Sequence, residues 1–185
     1  MSATFARLHD QRVLLCVCGG IAAYKAADLV RRLRDAGAEV SVAMTENAQR
    51  FVAATTFQAL STRTVRTSLW DAAAEAAMGH IELARWADRV LVAPATANTL
   101  AKLAYGMADD LVSTLCLATT APLTVAPAMN HRMWLHPATR ANVELLRARG
   151  AQVLDPADGP LAEGESGPGR LQEPAEIVAA LAPAT

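Results

Sequence analysis

Short apolar runs alternate with amphipathic segments along this chain of 185 residues, and that alternation constrains its fold more than any other feature. The run VLLCVC, residues 13–18, precedes Gly19-Gly20 and a segment in which apolar residues recur at helical spacing: Ala23, Ala27, Val30 and Leu33. A second run, EVSVAM, follows at 39–44. Strands that alternate with helices form a parallel sheet covered on both faces. We therefore predict an α/β domain with a doubly wound, mostly parallel sheet.

The same pattern continues to the end of the chain. Further strands are predicted at 89–93, 122–126 and 151–154. Helices are predicted in TENAQRFV, which Thr45 caps, and in HIELARWAD, TANTLAKLAYG, DDLVSTLCLAT, ATRANVELLRARG and PAEIVAALA. The segment 53–78 has no clear period, while PAMNHRMW and GPLAEGESGPGR, residues 159–170, read as loops.

Composition excludes several classes of protein. Hydrophobic residues make up 52% and charged residues 19%, with a formal net charge of −1, so neither a basic field for nucleic acid nor the polar excess of disorder is present. No apolar run approaches the roughly 20 residues of a membrane span, and the first residues lack the apolar core of a secretory signal. We expect one domain over 1–185 and a cytoplasmic location.

The three cysteines are predicted to be core residues. Cys16 and Cys18 alternate on one strand and so point to the same face, and Cys116 lies in an apolar helix. No second cysteine or histidine pair stands at metal-ligand spacing, so no metal is expected.

The turns that follow strands are the candidate binding elements, because ligands of open parallel sheets bind beyond the carboxyl ends of the strands. Gly19-Gly20 lets backbone N–H groups approach a phosphate at a helix start, and Thr45 after the second strand adds a hydroxyl. A dinucleotide is disfavoured, because G-x-G-x-x-G is absent and no acidic residue ends the second strand. A tight structural turn remains the alternative.

Two further turns each combine small residues with an amide, as a flat aromatic ring with hydrogen-bonding edges requires. They are APATANT, with Asn98, and APAMN, with Asn130. Asparagine also suits ordinary turns. Among the histidines, His80 is a candidate for catalysis because it stands beside Gly79 at a helix start, although a lone histidine is more often structural.

Seven ordered motifs resemble the flavin-dependent cysteine decarboxylases: CGGIAAYK, MTENA, GHIEL, APATANT, GMADDL, PAMN and GESGPGR. The resemblance covers about residues 12–182, and it is strongest to the branch that decarboxylates 4'-phosphopantothenoylcysteine to 4'-phosphopantetheine in coenzyme A biosynthesis. In bacteria that branch is usually the N-terminal half of a protein whose other half is a synthetase.

The resemblance implies a Rossmann-like (flavodoxin-like) subunit that forms trimers or dodecamers, with FMN at the subunit contacts. It assigns FMN binding to the glycine turn, to the turn after the third predicted strand and to two further residues: Gly19, Gly20, Ile21, Ala22, Thr45, Phe51, Pro94, Ala95, Thr96, Asn98 and Thr99. It assigns substrate binding to Ala128, Met129 and Asn130, and makes His80, contributed across the interface, and Asn130 catalytic. The implied reaction oxidises the cysteine side chain to a thioaldehyde, loses carbon dioxide to give an enethiol, and then reduces the enethiol.

One position departs from the family pattern. Many members carry a proton-donating cysteine where this chain has Glu163, in AEGE. Glu163 is therefore a third candidate catalytic residue, as a shielded acid for the final reduction. Two alternatives are a product left as the enethiol, as in enzymes that act on peptidyl cysteine, and a solvated loop with water as the acid.

Three other classes of protein compete with this interpretation. A non-catalytic, flavin-binding regulatory subunit is disfavoured by the presence of both His80 and Asn130. A flavin prenyltransferase is disfavoured by PAMN and by the late GPGR, and an NAD-dependent Rossmann enzyme by the glycine spacing.

Overall fold

The central sheet has the strand order predicted for a doubly wound domain. The computed structural model describes residues 8–72, 79–160 and 164–181. Five parallel strands stand in the order β2-β1-β3-β4-β5: β1 Arg12–Val17, β2 Glu39–Met44, β3 Arg89–Ala95, β4 Leu123–Pro127 and β5 Gln152–Val153. This is the flavodoxin-like order, and the predicted α/β fold is confirmed.

Helices cover both faces of this sheet. Their bounds are α1 Lys25–Asp35, α2 Ala54–Ser61, α3 His80–Trp86, α4 Ala97–Tyr105, α5 Leu111–Ala118, α6 His131–Leu135, α7 Pro137–Ala148 and α8 Pro174–Leu181. Two short 3-10 turns lie at Ile21–Tyr24 and Asn47–Arg50. An antiparallel hairpin of β6, Ala157–Pro160, and β7, Ser166–Arg170, stands apart from the sheet.

The two faces of the sheet form two apolar cores, because side chains alternate along each buried strand. On one face, Leu15 of β1 belongs to the same buried cluster as residues of α1 and α8. On the other, Cys16 and Cys18 of β1 belong to a cluster with residues of α4, α5 and α7. Both thiols are buried, as predicted, and burial raises the pKa of Cys18 to about 12.

Four sequence-based assignments were wrong or incomplete. The segment after Thr45 forms a 3-10 turn rather than an α-helix, although Thr45 Oγ1 still accepts the Ala48 N–H at 3.2 Å. The unassigned middle contains α2, and the presumed PAMNHRMW loop contains α6. The presumed loop at 159–170 is largely the hairpin of β6 and β7.

None of the helices in the described ranges is long and apolar enough to cross a membrane.

Candidate active site

A cleft of about 900 Å³ opens at the carboxyl edge of the sheet, where the turns after β1, β3 and β4 meet. From the glycine turn it is lined by Gly19, Gly20, Ile21 and Ala22, with Thr45 from the end of β2. From the other two turns it is lined by Pro94, Thr96, Asn98 and Thr99, and by Ala128, Met129 and Asn130. The structure therefore brings together in space three sequence-predicted turns that lie far apart in the chain.

The two glycines of the first turn face different surroundings. A Cβ on Gly19 would lie 2.5 Å from Asn47 Cβ and 2.6 Å from the Asn47 carbonyl carbon, so Gly19 is required by packing within the protein. A Cβ on Gly20 would come within 4 Å of only one heavy atom of the described residues, Thr96 Cγ2 at 4.0 Å. Gly20 has extended backbone that any residue adopts, so the space beside it belongs to the cleft.

The turn after β3 presents the start of a helix to the cleft. Thr96 is the N-cap of α4, and its Oγ1 accepts the Thr99 N–H at 3.2 Å. The Thr96 and Thr99 hydroxyls lie 3.0 Å apart. The peptide bond between Ala93 and Pro94 is cis, and the Pro94 carbonyl accepts the Cys18 N–H at 3.2 Å, which joins this turn to the end of β1.

The Asn130 side chain has a fixed orientation. Asn130 is the N-cap of α6, and its Oδ1 accepts the Arg132 N–H at 2.8 Å. Because the amide oxygen is used inside the protein, the Nδ2 group is the part of the side chain available to a ligand. Asn130 therefore presents two N–H donors to a cleft-lining position, as recognition of a carboxylate requires.

Three predicted site residues do not line this cleft, and a fourth cannot be placed relative to it. Ala95 is fully buried beneath the turn, and Phe51 is about half exposed after the 3-10 turn Asn47–Arg50. His80 begins α3 and is also absent from the cleft wall. Glu163 lies outside the described residues.

A group of charged residues on the cleft wall was not predicted from the sequence. Lys102 of α4 donates to Asp110 Oδ2 at 2.7 Å and lies 2.8 Å from Asp109 Oδ1. Hydrogen bonds to Asp109 and Asp110 raise the pKa of Lys102. Burial opposes ionisation of Asp110, but the hydrogen bonds from Lys102 and Ser113 outweigh it and lower the pKa of Asp110. Lys102 and Asp110 therefore stay charged at neutral pH and form a fixed ionic wall rather than a proton donor.

The motif GMADDL contains both aspartates and could have marked them as site residues. The sequence alone did not show that Asp109 and Asp110 line the same cleft as α4. Lys25 was missed for the same reason. It lines the cleft and donates to Glu173 Oε1 at 2.7 Å, across most of the length of the chain.

The hairpin supplies the last wall, through Pro160, Gly169 and Arg170. Its strand β7 contacts the third turn backbone to backbone: the Met129 N–H donates to the Gly169 carbonyl at 2.9 Å. A Cβ on Gly169 would lie 2.2 Å from the Met129 carbonyl oxygen, so only glycine permits this approach.

A flavodoxin-like sheet with a glycine turn, a helix start and amide-bearing turns around one cleft defines a nucleotide-binding α/β protein. The chain belongs to the flavoprotein family, whose model matches residues 2–184. The resemblance to flavin-dependent decarboxylases that the seven motifs indicate is confirmed by proteins of known function to which the chain is similar.

The relatives include one curated protein and two solved structures. The chain is 54% identical over 172 residues to the coenzyme A biosynthesis bifunctional protein CoaBC of Vibrio vulnificus. The aligned region covers 93% of this chain and 43% of that protein. A cysteine mutant of PPC decarboxylase complexed with pantothenoylaminoethenethiol has a TM-score of 0.81 and 34% identity, covering 92% of this chain and 96% of that one. The FMN-dependent cysteine decarboxylase SpaF has a TM-score of 0.78 and 31% identity, covering 94% and 97%. The chain thus spans less than half the length of the curated relative.

Proposed function

We propose that this protein catalyses the FMN-dependent decarboxylation of 4'-phosphopantothenoylcysteine to 4'-phosphopantetheine, a step of coenzyme A biosynthesis, in the cytoplasm. The observation that carries the proposal is the fixed Asn130 amide, whose N–H groups are the part available to a carboxylate in the cleft. The names of the bifunctional CoaBC and PPC decarboxylase relatives support the same substrate. By the same similarity, a synthetase domain fused to this one is proposed as a partner.

The cleft residues fit FMN. The space beside Gly20, which a Cβ would fill, lets a phosphate approach the backbone of the glycine turn, with Thr45 in the same wall. Small residues of the other turns leave room for a flat ring, and Asn98 offers an amide to its edge. When bound, the flavin would supply a reversible acceptor for the two electrons of the cysteine side chain.

The chain's own residues would position the substrate and control its charges. Asn130 would hold the substrate carboxylate through Nδ2, since Oδ1 is engaged by Arg132. The ionic wall of Lys102 and Asp110 would line the cleft without exchanging protons. Backbone contact between Met129 and Gly169 would close one side of the cleft against water.

His80 would reach the substrate from a second subunit. It does not line the cleft of its own subunit, yet a base or charge stabiliser is needed beside the substrate sulfur and carbon. Apolar side chains at the cleft wall are unusually exposed in the single chain, with Ile21 at 65% and Tyr24 at 62%, as at a surface that a partner covers. We propose a homotrimer, or a dodecamer of four trimers, in which each cleft receives His80 from a neighbour.

Mixing two inactive variants tests that arrangement. His80→Asn should retain bound flavin but lose flavin bleaching by substrate, and Asn130→Asp should fail to bind substrate productively. In a trimer formed from both variants, some clefts combine an intact Asn130 from one subunit with an intact His80 from its neighbour. Each of the two residues is intact in about half of the subunits, so co-refolding an equal mixture should restore about a quarter of parental activity. Activity that stays at the level of the single variants would contradict contribution of His80 across an interface.

Glu163 occupies the position at which the resemblance places a proton-donating cysteine, and this favours one second candidate function, decarboxylation that stops at the enethiol. The product mass from phosphopantothenoylcysteine and anaerobic, flavin-loaded protein distinguishes the two. Loss of carbon dioxide alone is expected. A product lighter by two further hydrogens, with the flavin left reduced, would favour the second candidate.

If Glu163 is the acid, Glu163→Gln should slow product reduction by about 100-fold, a typical contribution of general acid catalysis, and leave flavin reduction by substrate unchanged. Stopped-flow absorbance of the flavin measures both half-reactions. Equal rates in variant and parent would remove Glu163 from the mechanism and leave water as the acid.

A further inference from the structure

The hairpin of β6 and β7 is held against the turn that contains Asn130 by both a backbone hydrogen bond and close packing. Besides the backbone bond from Met129 to Gly169, a Cβ on Gly167 would lie 3.2 Å from His131 Cβ, so β7 and α6 are in close contact. Both strands of the hairpin contribute residues to the cleft wall. Whatever fixes β7 on α6 therefore also fixes the substrate side of the cleft.

Glu165, immediately before β7, spans the first two residues of α6. Its Oε1 accepts from the Arg132 guanidinium at 3.0 Å, and its Oε2 lies 3.3 Å from His131 Nδ1. The second contact is within ion-pair distance but lacks hydrogen-bond geometry in this arrangement. One carboxylate thus contacts two consecutive side chains of the helix that Asn130 caps.

The contact with Arg132 alone would carry little weight, because the Arg132 side chain is 76% exposed and exposed ion pairs contribute little. His131 differs, since its Nδ1 atom is buried and has no hydrogen-bond partner among the described residues. Glu165 Oε2 lies 3.3 Å from this atom, and a buried polar atom without a partner is costly, so a carboxylate beside it is favourable. The contact of Glu165 with His131 is therefore far less exposed to solvent than its contact with Arg132.

Arg132 links this contact to the substrate side. Its guanidinium contacts Glu165, while its backbone N–H fixes Asn130 Oδ1 at 2.8 Å. Displacement of Arg132 would therefore change the direction in which Asn130 Nδ2 points.

We propose that Glu165 is a positioning residue, which holds β7 on α6 through His131 and Arg132 and thereby orients Asn130 toward the carboxylate of its ligand. The consequence for turnover rests on the proposed function, whereas the tether itself does not. Glu165 acts through the binding step and takes no part in proton transfer.

The test compares Glu165→Gln with Glu144→Gln, a matched control that breaks an exposed contact to Arg147 on α7. Hydrogen exchange of the backbone amides in Ser166–Arg170 is measured on flavin-loaded protein without substrate. Glu165→Gln should accelerate this exchange by about tenfold, and the control should match the parent. Exchange unchanged in Glu165→Gln would overturn the tether, whether or not the protein decarboxylates the proposed substrate.

Steady-state kinetics test the consequence for Asn130. Glu165→Gln should raise KM for phosphopantothenoylcysteine by about tenfold with kcat and FMN affinity near parental values, and Glu165→Asp should recover part of the loss. Arg132→Gln should raise KM less than Glu165→Gln does, because it leaves the contact between Glu165 and His131 in place. Adding Arg132→Gln to Glu165→Gln should change KM little further, because Glu165→Gln already removes both contacts. A lower kcat at unchanged KM would overturn the positioning role in favour of proton transfer. If the parent does not turn over this substrate, the proposed function fails, and the exchange result still decides the tether.

Discussion

Replacing Asn130 by aspartate should leave the fold intact and lower kcat/KM for phosphopantothenoylcysteine by about 100-fold or more. Aspartate caps helices as well as asparagine does, so its oxygen can accept the Arg132 N–H in the same way. The substitution removes only the Nδ2 donors and places a negative charge beside the substrate carboxylate. A hydrogen bond to a charged group is worth about 1.5–3 kcal/mol, and the repulsion adds to that loss.

The measurements are thermal unfolding, flavin content and steady-state kinetics. Asn130→Asp should match the parent in the first two. Asn130→Ala is the control for the structural role, because it loses the cap as well and should cost about 1 kcal/mol of stability. An Asn130→Asp protein with parental kcat/KM would show that Asn130 serves α6 and not the substrate.

The second large effect concerns Gly19 and Gly20, the adjacent glycines of the first turn. Substitution by alanine should lower stability at Gly19 and weaken FMN binding at Gly20. Gly19→Ala should destabilise the flavin-free protein by about 2–3 kcal/mol, since its Cβ would overlap the Asn47 backbone, and lower Tm by about 5–10 °C. Gly20→Ala should leave that Tm nearly unchanged, because its Cβ meets open space. It should instead weaken FMN binding by at least about tenfold, or about 1.4 kcal/mol.

Calorimetric unfolding of the flavin-free proteins and titration with FMN separate the two roles. Riboflavin is a useful second ligand, since a Cβ at Gly20 that obstructs only the phosphate should not weaken riboflavin binding. Parental FMN affinity in Gly20→Ala would contradict the assignment of the glycine turn to the phosphate.

The sheet could be predicted because buried parallel strands read as continuous apolar runs, as in VLLCVC and EVSVAM. The hairpin could not, because β6 and β7 consist largely of glycine, proline and polar residues. Its strands are stabilised by contact with the Met129 turn rather than by their own propensity. The five-residue helix α6 was missed because it is too short to show a helical period.

The turns of the site could be predicted because topology places the ends of parallel strands at one edge. The ionic wall could not be predicted, because Lys102 and Asp110 meet only when α4 and the start of α5 pack together. Phe51 and His80 show a different limit. The resemblance assigned both to the site and placed His80 across a subunit interface, whereas neither residue lines the cleft of the single chain.

The last helix has a consequence for the order in which the molecule can be completed. Ile177, Val178 and Leu181 of α8 are buried in the same core as α1, and Glu173 contacts Lys25. The glycine turn is synthesised before α8, the helix that supports α1 behind it. Until residue 181 has emerged, the nascent chain lacks part of the core beside its cofactor cleft, so we expect stable flavin binding only after α8 has been synthesised.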